Sequence, residues 1–171
     1  MTNTRVWKNS LRATVFAGLS VATGAGFCWE YEASVYKMTS KRTQIAMLES
    51  ADSLKLPFPY QGRNTGGLMI RRHPTQGIGV IFSIGQGQMT CPSFQPCAVN
   101  VRFDNDAAIR FAGTNPSDRR STAVFLSDGA KFIAKAKAAR TILVETTYYK
   151  GGNQVLTFKS AEPLAWQPPT K

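Results

Sequence analysis

The sequence is short of the side chains on which most catalysis depends. It has one histidine, His73, and ten carboxylates against 21 lysines and arginines in 171 residues. A structural zinc site takes four ligands, and the cysteine pair Cys91 and Cys97 with a lone His73 falls short of that. A cysteine or serine nucleophile needs a base, and only His73 could serve. That histidine directly follows Arg71 and Arg72, a setting that suits a surface residue better than a catalytic acid. The few carboxylates show no paired arrangement of the kind glycoside hydrolysis uses.

Completed motifs are missing as well. The stretch GVIFSIGQG holds Ser83, but Ile81 stands where a nucleophile elbow has its first glycine. The loop GRNTGG lacks the Lys and Ser/Thr of a phosphate-binding loop. The DND run at 104–106 lacks the glycine and distal glutamate of a calcium loop and reads as a turn. No cofactor and no metal is expected, and the chain does not read as an enzyme. A hydrolase whose site is assembled from distant residues stays as an alternative.

Long apolar runs are absent too. The only candidate, residues 13–28, is shorter than the ~20 residues that span a bilayer, and glycine and threonine dilute it. It follows Arg5, Lys8 and Arg12 with no acid among them, and it ends in small residues. Basic region, apolar core and small-residue end are the order of a secretory signal peptide over 1–28, cleaved after Ala25 or Cys28. An uncleaved anchor is the lesser alternative. Phe27 before Cys28 argues against a lipidated cysteine.

What remains, residues 29–171, reads as one β-rich domain with a short proline-containing tail. Removing residues 1–28 takes away three basic residues and no acidic ones, leaving a net charge of about +8. A basic envelope protein is drawn to anionic polymers, lipids or acidic proteins. Arg71, Arg72, Arg119, Arg120, Lys131 and Lys135 are the candidate anion- or partner-binding residues. Tyr36, Tyr60, Tyr148 and Tyr149 lie near basic residues, but no RNA-binding or helix-turn-helix pattern accompanies them, so nucleic acid is not expected.

Alternation sets the fold class. Trp29, Tyr31, Ala33 and Val35 interleave with polar residues, and a second strand runs from about Thr43 to Ser50. GLMIRRH and GVIFSIGQG form a hairpin, Ala98–Asp104 and AIRFAG a second, and TILVETTYY and NQVLTFKS a third around KGGN. STAVFLS adds a short strand. One segment, near 129–140, has helical spacing, with Phe132, Ile133, Ala136 and Ala139 on one face after Ser127 or Asp128 as N-cap. About nine strands and one helix predict an antiparallel sandwich or barrel-like sheet pair. Trp29 and Trp166, at its two ends, are expected to close the domain.

Of the three cysteines, Cys91 and Cys97 are separated by five residues and precede a strand. A thioredoxin-type pair has two intervening residues and opens a helix. A structural disulfide, pinning the start of the following strand in an oxidising compartment, is the expected state.

The stretches FPYQGRNTGGLMIRRHP, GQMTCPSFQPCAVNVRFDND, STAVFLSDGAKFIAKAKAARTILVETTYYKGG and LTFKSAEPLAW carry a resemblance. Together they resemble a group of secreted proteins of proteobacteria and their mobile elements, marked by C-x5-C followed by V-R-F-D. In layout the chain is also loosely similar to type VI secretion-associated VasI-like proteins. Neither group brings catalytic residues. The resemblance implies an envelope protein that binds or assembles. The leader, the disulfide, the basic surface and the missing catalytic clusters lead to the expectation of a periplasmic or secreted protein that acts by protein–protein contact, as an accessory of a secretion, conjugation or phage-related apparatus. Binding of an anionic envelope polymer or lipid is the alternative expectation.

Overall fold

The computed structural model describes residues 27–38, 40–91 and 97–167. The proposed leader therefore lies outside the described residues, apart from Phe27 and Cys28. Nine strands and one helix follow in chain order. They are β1 (Glu30–Tyr36), β2 (Lys41–Glu49), β3 (Gly66–His73), β4 (Gly77–Ile84) and β5 (Cys97–Phe103). After these come β6 (Ile109–Thr114), β7 (Ala123–Leu126), α1 (Gly129–Ala136), β8 (Thr141–Tyr148) and β9 (Gly152–Lys159).

All nine strands belong to one antiparallel sheet in the order β1-β2-β3-β4-β7-β6-β5-β8-β9. The alternation that marked the strands sorts their side chains as a two-residue period requires. Leu68 and Ile70, Val80 and Phe82, Val99 and Val101, Ile142 and Val144, and Leu156 and Phe158 are all buried on the inner face. The sheet coils so that its two halves face each other without closing. Phe82 of β4 meets Phe158 of β9 edge to face, with ring centroids 6.2 Å apart. Gly66 of β3 sits so close to Leu156 and Phe158 that a Cβ there would collide with the leucine.

The helix plugs the end of this coil where β4 begins and β5 finishes. Phe132 packs edge to face on Phe103 at 5.3 Å and on Phe111 at 5.9 Å. Asp128 is the N-cap, accepting a hydrogen bond from the Lys131 backbone N–H. The apolar stripe Phe132, Ile133, Ala136 and Ala139 is buried as its spacing predicts. Regular helix ends at Ala136, however, four residues short of the expected limit. The Ala136 carbonyl accepts from the Leu164 N–H of the C-terminal tail, and the Ala138 N–H turns back to the Lys135 carbonyl.

That tail runs toward the open seam between β9 and β1. Ala161 N–H donates to the Phe27 carbonyl, and Ala165 N–H donates to the Tyr31 hydroxyl at 2.8 Å. Trp29 and Trp166 are both buried, so the two ends of the domain meet in one core.

The cysteines are paired. Cys91 and Cys97 form a disulfide with Cα atoms 4.5 Å apart, at the start of β5. Cys28 is a free, exposed thiol. Among the described residues no helix is long and apolar enough to cross a membrane, and no group of three metal-ligating side chains gathers.

Candidate functional site

The two edges of the sheet are treated differently. The β9 edge is covered by the chain that follows β2. Ala51 N–H donates to the Thr157 carbonyl at 2.7 Å, and the Thr157 N–H donates to the Asp52 carboxylate at 2.8 Å. Further along, the Gln154 side chain accepts from the Lys55 N–H and donates to the Lys55 carbonyl. The loop is itself held by Asn64, buried in the GRNTGG stretch, whose amide bonds both the Gln86 N–H and its carbonyl. This glycine-rich loop is a clamp for backbone.

Among the described residues, no segment bonds the outer backbone edge of β1, and the tail reaches this strand only at the Tyr31 hydroxyl. β1 pairs with β2 along its whole length, but β2 reaches β3 only from Gln44 onward. Ser34–Tyr36 and Lys41–Thr43 therefore pair only with each other and stand beyond β3 as a two-stranded ribbon. Three residues and a turn correspond to a projection of roughly 10 Å. In β1 the alternation correctly marks the strand, yet its apolar side is left exposed: Tyr31 is 52% exposed and Val35 57%, and Met38 in the turn that follows is 83% exposed. Glu30 and Glu32 lie toward the base of the ribbon, and Lys37, Lys41 and Arg42 at its tip, all exposed.

The six basic residues read from the sequence do not converge. Arg71 lies on the outer face, donating to Gln76 Oε1 at 2.7 Å, with its guanidinium 6.0 Å from the Phe125 ring centroid. Arg72 points to the inner side, opposite Ile78 in the register. Arg119 and Arg120 sit in the loop whose Thr122 carbonyl accepts from Ile84 N–H, at the other end of β4. Six residues of strand, roughly 20 Å, separate the two arginine pairs. Arg120 is in an ion pair with Asp118 at 2.7 Å, and Lys135 in one with Asp106 at 2.8 Å. Lys131 is exposed on α1. Asp106 thus takes the helix lysine. His73 is partly buried and engages Thr75 through Nδ1 at 3.0 Å.

Two surface depressions have the size of a ligand site. One, of about 540 Å³, lies on the outer faces of β2, β3 and β4. It is lined by Met47, Met69 and Ser83, with Glu30 and Glu49 at its rim and Phe27 and Cys28 beside it. The other, also about 540 Å³, is a basin between β5 and β8 lined by Arg102, Asp104, Asn105, Arg140, Thr141 and Leu143. Asp104 holds its floor in place. In a left-handed conformation (φ 45°), its carboxylate accepts from the Arg140 and Thr141 N–H groups at 3.1 and 2.8 Å. Its own N–H donates to the Thr141 carbonyl. In the first depression the Ser83 hydroxyl donates to the Gly67 carbonyl.

Burial pushes the ionisation of the Tyr148 phenol well above its ordinary value. Tyr148 lies in the core, away from both depressions.

Compared with family models, curated proteins and solved structures, the chain matches none.

Proposed function

We propose that this chain is a non-enzymatic protein of the bacterial envelope that acts by protein–protein contact through its β1–β2 ribbon. The carrying observation is the contrast between the sheet edges. The β9 edge is sealed by backbone and side-chain hydrogen bonds, while among the described residues β1 keeps an open backbone edge, with Tyr31 and Val35 exposed on it and Met38 exposed in the turn beyond. Folded proteins usually blunt such an edge, because its unpaired N–H and C=O groups recruit another strand. An edge left open beside Tyr31, Val35 and Met38 fits strand addition by a partner, with main-chain bonds giving affinity and the apolar row giving specificity.

The Cys91–Cys97 disulfide supports an oxidising compartment, hence the periplasm or the exterior after removal of the leader. The resemblance to secreted proteobacterial and mobile-element proteins supports an envelope protein that binds or assembles, and an accessory role in a secretion, conjugation or phage-related apparatus is the setting proposed for it. The basic ribbon tip fits a partner surface with carboxylates opposite Lys37, Lys41 and Arg42.

Affinity capture from envelope extracts tests this reading. The wild-type chain should retain a defined protein that Val35→Asp/Met38→Asp loses, with thermal stability unchanged. Retention of no specific protein, or equal retention by the variant, contradicts it.

A further inference from the structure

We propose that the outer-face basin lined by Arg102 and Arg140, with Lys159 beside it on the neighbouring strand, binds a phosphate group. The residues come from three places in the chain and meet through the register of the sheet. Arg102 of β5 lies opposite Leu143 of β8, and Lys159 of β9 lies opposite Thr141, so all four share the outer face. Arg140 directly precedes Thr141 and lines the same basin. Arg110, opposite Asn100 in the neighbouring row, adds a fourth cation to this face.

The positive charge of this cluster is largely unspent. Among the described residues, neither Arg102 nor Lys159 has a carboxylate within ion-pair distance. Arg140 reaches only Glu162, at 4.0 Å with both side chains mostly exposed. The acids on this face are otherwise engaged. Asp104 is turned onto two backbone N–H groups, and Glu145 accepts from the Asn100 amide at 2.9 Å.

The donor set favours phosphate over a carboxylate. Two guanidinium forks can each offer a bidentate face, the geometry that suits oxyanions of this kind. The Thr141 hydroxyl, the Asn105 amide and the Lys159 ammonium add donors for further oxygens, more than a two-oxygen carboxylate can use. The Asp104 clamp fixes Arg140 and Thr141 relative to β5, so part of the ordering cost is met before a ligand arrives. The phosphate could be free or part of a lipid headgroup, and the chemistry of the basin is the same for both.

Titration of the full chain with inorganic phosphate, followed by backbone amide NMR, is the test. Saturable shifts confined to Arg102, Asn105 and Thr141 are expected. Arg102→Gln/Arg140→Gln should weaken binding about tenfold or more, as loss of charge-assisted bonds implies. Arg119→Gln/Arg120→Gln removes the same charge at the far end of the sheet and should change affinity less than about twofold. No saturable shift, or equal weakening by both variants, overturns the proposal. Phosphatidylcholine vesicles with and without phosphatidylglycerol then separate the sources. Sedimentation with phosphatidylglycerol that the basin variant loses assigns a lipid headgroup, and vesicle indifference beside phosphate binding assigns a soluble phosphate.

Discussion

Gly113 lies opposite Cys97 in the β5–β6 register, and a Cβ there would sit 2.7 Å from the Cys97 sulfur. The disulfide therefore depends on a residue sixteen positions away that has no side chain. Gly113→Ala should cost on the order of 1–3 kcal/mol, since the sulfur is tied in the disulfide and the flanking Val99 is fully buried. Chemical denaturation of the oxidised protein checks this. Tyr148 makes a contrasting case. Its hydroxyl is buried without a hydrogen-bond partner among the described residues, so Tyr148→Phe should be neutral or stabilising by about 1 kcal/mol at pH 7. The pH dependence has a definite sign. The folded phenol ionises above its ordinary value of 10.0, so the unfolded chain loses the proton first. Stability from this group is complete below pH 10 and falls as pH rises beyond it. Wild type should therefore lose thermal stability between pH 9 and 11 more steeply than Tyr148→Phe does.

Elements were legible in the sequence wherever a two-residue or helical period ran unbroken. Val99, Val101 and Phe103 announce β5, and the KGGN turn announces the β8–β9 hairpin. The end of α1 was not legible, because it is set by the Leu164 N–H taking the Ala136 carbonyl, a bond between segments far apart in the chain. For the same reason the basic basin was hidden. Arg102, Arg140 and Lys159 become neighbours only once β5, β8 and β9 are in register. The arginine doublets at 71–72 and 119–120 are conspicuous in sequence but stand at opposite ends of β4. The tail is the element that closes the seam, and Trp166 is its anchor. Trp166→Ala should cost about 3–5 kcal/mol, read as a drop in denaturant midpoint. The disulfide closes a much shorter segment, with a sequence separation of 6. Its reduction should cost about 2 kcal/mol by the chain-entropy relation, a smaller loss than that of the tail anchor.

At the scale of the whole molecule, one coiled sheet divides its work between a sealed part and an open part. The helix, the tail and the 51–55 loop cover one end, the seam and the β9 edge. Among the described residues, only the β1–β2 ribbon combines an open edge, exposed apolar side chains and a charged tip. A photo-crosslinking residue placed at position 35 in living cells interrogates that claim directly, with position 149 at the opposite end of the sheet as the control. The expected result is a discrete protein adduct from position 35 and none from position 149. No adduct from position 35, or the same adducts from both positions, would contradict a contact made by the ribbon.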